Sequence, residues 1–251
     1  MINSDDKSSG KAYSALAEFY EKLSEEDNYE KRGDYVVSLA DKYSSGTKCA
    51  DLACGSGYFT RRLKKTGYNV YGCDISNEML IEAERLAMKE RLNIEFRNQD
   101  LAKFKSFEKL DLVTVINDGF NYLDEKKFTS ALRAISANLK HGGTLIFDVS
   151  SEYKIKSILA DNLFAEDLDD LTYLWFNELD GNKLTMSLTL FVKDGEKYIR
   201  KDETHVQYAY SLEFIENELE TASFDILEEC EEFGEKLSET CKRIYFVAKK
   251  K

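Results

Sequence analysis

Two glycines and two aspartates around the first apolar run offer the clearest chemistry in this sequence. The run Cys49-Ala-Asp-Leu-Ala-Cys-Gly-Ser-Gly57 ends in Gly55 and Gly57, and "YFTRRLKKTG", with helical character, follows it. Glycines at such a junction let the backbone pass close under a ligand. The free N–H groups at the start of the helix then point at whatever binds. Asp74 closes the next apolar run, "YNVYGCD", where a carboxylate can accept both hydroxyls of a ribose. Asp51 stands four residues ahead of Gly55 in an otherwise apolar strand. An acid there is expensive without a partner, and a ligand with an ammonium group would supply one. A Gly-x-Gly pair serves a dinucleotide almost as well, but the dinucleotide fingerprint wants a third small residue where Thr60 stands.

The elements that must position these residues alternate. Helical spacing predicts two opening helices, over about 11–23 and 29–43, the first with Tyr13, Leu16, Ala17 and Tyr20 on one face. Strands are predicted over 48–54, 68–74, 93–100 and 110–117, with "TLIFDVS" as a fifth. Between them lie helices closed by Gly67, capped by Ser76, and running from about Asp124 to Leu139. Such alternation implies a parallel sheet covered by helices on both faces, with ligands beyond the carboxyl ends of its strands.

After Ser150 the pattern changes. Asp180-Gly and Asp194-Gly separate alternating runs, a hairpin signal, and predict a three-strand antiparallel meander. Tyr173, Trp175, Phe176, Phe191, Tyr198 and Tyr208 furnish it with aromatic surface. The helix at 211–223 and the runs "FDILEECEEF" and "CKRIYFVAKK" return to the main sheet. The expected division is therefore a main domain, 1–150 with 209–251, whose N-terminal helices (11–43) cover the site. Residues 151–208 form an insertion, within which about 165–208 act as an acceptor lid.

Composition narrows the function classes. In 251 residues there are 47 acids against 35 Lys and Arg, a net charge of -12, which argues against a broad nucleic-acid groove. The basic strip Arg61, Arg62, Lys64 and Lys65 reads as the wet face of a helix. Five cysteines without a C-x-x-C pair, and two distant histidines, read as free thiols without a zinc site. No apolar run reaches transmembrane length, the polar, acidic start "MINSDDKSSG" does not read as the basic-then-apolar pattern of a signal peptide, and a cytoplasmic protein is expected. The chain contains no proline, so its turns are read from Gly, Asn, Asp and Ser.

Taken together, the motifs resemble those of the class I S-adenosylmethionine (SAM)-dependent methyltransferases. Asp-Leu-Ala-Cys-Gly-Ser-Gly matches the family's first motif, D/E-x-x-x-G-x-G. Cys-Asp-Ile-Ser with Met79 and Ala83 matches the second, and Asn98-Gln-Asp-Leu the third. "LKHGGTLIFDV" resembles the approach to the fifth strand, with His141 in place of the usual proline. These spacings agree over about 45–150. "YSALAEFYEKL" and "NDGFNYL" are similar to the small-molecule branch that includes sugar-amine N,N-dimethyltransferases.

The resemblance implies a Rossmann-like α/β fold with a small antiparallel β-sheet after the fifth strand. SAM would be the cofactor, S-adenosylhomocysteine its product, and no metal would be bound. Asp51, Ser56 and the backbone at Ala53, Gly55 and Gly57 would bind the amino-acid moiety, and Asp74 the ribose. Ile75 and Met79 would pack on the adenine, while Gln99, Asp100 and Leu101 would complete its wall. Asn117 would lie near the sulfonium, with Tyr13 and Tyr20 closing over the pocket. Arg32, where relatives often carry Trp, would pair with the SAM carboxylate or sit on the surface. Asp118, Tyr122 and His205 are the candidates near the methyl.

The implied acceptor is a small molecule with an amine or hydroxyl, and the implied assembly a monomer or homodimer without membrane contact. Asn117-Asp-Gly-Phe departs from the Asn-Pro-Pro-Tyr of nucleic-acid amino-methyltransferases. A SAM-binding sensor or partner subunit without catalysis, and a nicotinamide oxidoreductase, are the competing readings.

Overall fold

The computed structural model describes residues 28–251, so the helix expected at 11–23, with Tyr13 and Tyr20, lies outside the described residues. Helix α1 (Tyr29–Tyr43) leads to β1 (Lys48–Leu52), α2 (Tyr58–Lys65), β2 (Asn69–Asp74) and α3 (Asn77–Lys89). Then come β3 (Phe96–Asn98), β4 (Leu110–Val115), α4 (Glu125–Asn138) and β5 (Leu139–Ser150). The third strand is shorter than its sequence suggests, because Gln99 and Asp100 already turn into a 3-10 segment that the Asp100 side chain caps at Ala102.

These strands form a seven-stranded sheet in the order β3-β2-β1-β4-β5-β11-β10, closed by β10 (Phe224–Cys230) and β11 (Arg243–Lys250). Strands β1 to β5 run parallel, and β11 is antiparallel to both of its neighbours. Alternation along the strands sends side chains to two cores. Ala50, Leu52, Val113 and Phe147 meet Phe128, Leu132 and Ile135 of α4 on one face. Cys49, Leu112, Ile146 and Tyr245 meet Val36 and Leu39 of α1 and Phe59 and Leu63 of α2 on the other. The helices therefore cover both faces, and the carboxyl ends of β1 to β4 open at one edge.

The second sheet has four strands, not the three expected: β6 (Leu163–Asp167), β7 (Leu171–Asp180), β8 (Lys183–Asp194) and β9 (Lys197–Tyr208). Strand β6 was missed because its charged Glu166 and Asp167 mask its alternation. Its pairing with β7 is antiparallel, Leu163 opposite Phe176 and Asp167 opposite Thr172. Asn121 holds the two points where the chain leaves for this sheet and returns. Its amide donates to the carbonyls of Ser150 (3.2 Å) and Tyr208 (2.9 Å), and its oxygen accepts from Ser150 N–H (2.9 Å). Helix α5 (Leu212–Thr221) then carries the chain back to β10. None of the described helices is long and apolar enough to cross a membrane.

Candidate active site

A cavity of about 310 Å³ opens at the carboxyl ends of the parallel strands, within the range of small-molecule sites, about 300–1,000 Å³. Its floor is the turn after β1. Ala53 (φ 51°) and Gly55 (φ 55°) both adopt the left-handed region there, which an alanine resists and a glycine accepts freely. Gly119 lets the neighbouring turn close in, since a Cβ on it would stand 2.9 Å from that of Ala53.

Asp74 ends β2 at the cavity wall, accepting from Gly55 N–H and Ser76 N–H, each at 2.8 Å. Burial raises its carboxyl, and those N–H groups pull it back in part. Ser76 caps α3 through Met79 N–H (3.2 Å), which brings Met79 under the cavity. Ile75 stands 47% exposed beside it. Gln99, Asp100 and Leu101 complete this wall.

The rest of the lining comes from the segment between β4 and the first turn of α4, from the start of β8, and from β9. Asn117, Tyr122, Leu123, Asp124 and Lys127 join Lys183, Thr204, His205, Val206 and Tyr208. The rings of Tyr122 and His205 meet edge-on, with centroids 6.3 Å apart. His205 Nε2 lies 3.1 Å from Glu203 Oε2, and both side chains are buried.

Several expected site residues lie elsewhere. Asp51 is 1% exposed and outside the wall, its oxygens taken by Thr60 Oγ1 (2.5 Å) and Thr114 Oγ1 (2.7 Å). Ser56 and Gly57 are also buried outside the wall. Arg32 is neither a surface residue nor a cavity residue. At 1% exposure it donates to Asn117 Oδ1 (2.7 Å) and Tyr245 Oη (3.3 Å). Asp118, expected near the methyl, turns out of the cavity toward Arg243 Nη1 (2.7 Å) and Gln207 Nε2 (2.9 Å). Burial alone would raise its carboxyl, but Arg243 and Lys154 hold it well below the carboxylate range.

Two further expectations change. Arg61 is not on the wet face of its helix, being buried against the Ser56 carbonyl (2.7 Å) and Glu90 (3.0 Å). Of the six aromatic residues assigned to the second sheet, only Tyr208 lines the cavity. Tyr173 and Trp175 pack with Leu171, Leu188 and Leu190. The five cysteines are free, as expected.

Sequence reasoning missed Tyr29, Phe59, Asp124, Lys127, Lys183 and Glu203. Only the Glu203-x-His205 spacing carried a signal, since residues i and i+2 of a strand share a face. Among the described residues, no three His, Cys, Asp or Glu side chains converge as a metal site.

SAM presents a ribose diol, an adenine with an exocyclic amine, and a charged methionyl end. The residues present fit it: a carboxylate at Asp74, apolar flanks at Ile75 and Met79, an acid at Asp100, and open backbone at Ala53 and Gly55.

Comparison with known proteins agrees with this fit. A family model described as a methyltransferase domain matches residues 49–143. A protein of Geobacillus sp. (strain WCH70), named as a methyltransferase, is 34% identical over 95% of this chain and 99% of its own. The crystal structure of a SAM-dependent methyltransferase from Clostridium acetobutylicum ATCC 824 superposes with a TM-score of 0.88 at 33% identity, covering 95% of this chain and 98% of that one. A sugar N-methyltransferase from Streptoalloteichus sp ATCC 53650 shares the fold, with a TM-score of 0.78 at 16% identity over 98% of both chains. The paired acids, the open turn and this whole-chain likeness place the chain among the SAM-dependent methyltransferases.

Proposed function

We propose that this enzyme methylates an amine or hydroxyl of a small molecule in the cytoplasm, and that the acceptor enters between Tyr122 and β9. The observation that carries the reading is one cavity bounded both by the strand-end turns and by Thr204, His205, Val206 and Tyr208 of the second sheet. The donor half would use Asp74 for the ribose hydroxyls, Ile75 and Met79 for the adenine faces, and Asp100 with Gln99 and Leu101 for its edge. The backbone of Ala53 and Gly55, with Asn117, would hold the methionyl end. The second sheet would act as the lid. The acidic balance of the chain, -12, disfavours nucleic acid as acceptor.

SAM supplies a methyl on a sulfonium, which leaves as a neutral thioether and needs no acid. The protein must therefore align the acceptor and exclude water, effects that account for much of such a rate. A hydroxyl, or an amine that arrives protonated, must also give up a proton to a base. Glu203 Oε2 stands 3.1 Å from His205 Nε2 and orients the ring of a residue that lines the cavity. That arrangement, a base oriented by a carboxylate, suits His205 as the proton acceptor.

The test uses methyl-labelled SAM with a low-molecular-weight cell extract. Label should appear in a small molecule; label confined to added nucleic acid or protein contradicts the acceptor class. With the labelled acceptor purified, His205→Ala should lower kcat by about 100-fold while donor affinity stays within about threefold. Unchanged turnover would remove His205 as the base and favour an amine that arrives neutral.

A further inference from the structure

Two consecutive non-glycine residues at the end of β4, Asn117 (φ 70°) and Asp118 (φ 55°), occupy the left-handed region. Asn and Asp enter that region more readily than other residues with a Cβ, and here shared backbone contacts hold both. Both backbone N–H groups aim at one oxygen of Asp148, at 2.5 and 3.3 Å. Asp148 in turn pairs with Arg243 Nη1 and lies 3.7 Å from Arg32 Nη2. All three charged side chains are buried. A buried charge kept this way is satisfied only while every partner stays in place, which ties the two residues of the turn to one another.

The side chains of the turn diverge. Asn117 faces the cavity, on the side assigned above to the methyl donor. Asp118 faces away, bridging Arg243 of β11 and Gln207 of β9. Gln207 shares its face of β9 with His205, and the next residue, Tyr208, lines the cavity. One two-residue turn thus touches the donor side with its first side chain and the second sheet with its next.

We propose that Asp118, Gln207 and Arg243 are positioning residues, through which the Asn117–Asp118 turn fixes the distance between the donor and the acceptor wall on β9. None of the three touches either reactant. A donor that orders Asn117 orders Asp118 with it, because the two share Asp148, and Asp118 passes that order to β9 through Gln207. The inference rests on the proposed division of the cavity into donor and acceptor halves.

Hydrogen–deuterium exchange with S-adenosylhomocysteine as the probe tests it. In the wild type, saturation should slow exchange both at 116–119 and at 203–208, by about threefold or more at the second. In Gln207→Leu, the slowing at 116–119 and the affinity by calorimetry should persist while the slowing at 203–208 disappears. A merely structural role would raise exchange in β9 equally with and without the probe.

Gln207→Glu, which sets a carboxylate against Asp118, serves as the second variant should Leu disturb folding, and should give the same loss of coupling. Equal protection of 203–208 in wild type and both variants would overturn the link. So would wild-type protection confined to 116–119. Failure of the probe to bind the wild type at all would remove the donor assignment itself, and this inference with it. Turnover provides a second readout: the variants should lower kcat/KM for the acceptor about tenfold with the Kd of the probe unchanged.

Discussion

Thr60 Oγ1 lies 2.5 Å from Asp51 Oδ2, so the acid of the first motif is held by the protein's own second helix. Thr114 Oγ1 takes the other oxygen at 2.7 Å. The residue that departs from the dinucleotide fingerprint is thus the one that satisfies the buried carboxylate. Asp51 supports the turn above it from below.

The consequence for pH follows from its environment. Burial pushes the Asp51 carboxyl up to about 6, against the pull of both threonine hydroxyls. A folded-state value above the unfolded one, about 3.9, means that the native protein binds this proton more tightly. Its contribution therefore favours folding below about pH 4 and is lost as pH rises toward about 6. Melting of Asp51→Asn should lack this component. The difference between wild type and variant should change by about 1–3 kcal/mol between pH 4 and 7, and a pH-independent difference would contradict the assignment.

Arg32 is expected to be a stability residue first. Arg32→Ala leaves Asp148 with one cationic partner fewer and Asn117 Oδ1 without its donor, which should cost about 3–5 kcal/mol in chemical denaturation. Arg32→Lys should recover little, since one ammonium cannot reach Asn117, Tyr245 and Asp148 as the guanidinium fork does. A loss below about 1 kcal/mol in Arg32→Ala would show that the charge network is not needed for folding.

Removing divalent metals should leave turnover unchanged. The donor set gives the reason, since no three His, Cys or carboxylate side chains among the described residues converge at the cavity. Activity lost in EDTA and regained with magnesium would refute this and point to a hydroxyl acceptor activated by a metal.

Much of the framework was legible in the sequence, because it depends on local rules. Strand–helix alternation, the Ser76 cap and the glycine turn follow from period, capping and conformational freedom, each readable within ten or so residues. Asp74, Ile75, Met79 and the Gln99–Leu101 segment fell at the cavity wall for the same reason: they end or follow predicted strands. What escaped depends on side-chain direction across long separations. Asp51 and Asp118 are acids beside a strand-end turn in the sequence. In space Asp51 points at threonines nine and sixty-three residues away, and Asp118 at Gln207, eighty-nine residues away. Neither partner is predictable from spacing. Arg32 was misjudged likewise, as its acceptors Asn117 and Tyr245 arrive from β4 and β11. Glu203 stood in view beside His205 but read as one more charge in an acidic strand.

Among the residues around the proposed donor, Asp74 is the side chain on which the ribose depends. Calorimetric titration of S-adenosylhomocysteine into wild type and Asp74→Ala tests it most directly, with melting used to verify that the variant is folded. Asp74 lines the cavity, and each of its oxygens can accept a further bond beyond the one it takes from Gly55 or Ser76. Binding should be micromolar in the wild type and weaker by about 1–3 kcal/mol, roughly 10- to 100-fold, in the variant. Equal affinity in a folded Asp74→Ala would contradict it and move the ribose, and the donor with it, to another part of the molecule.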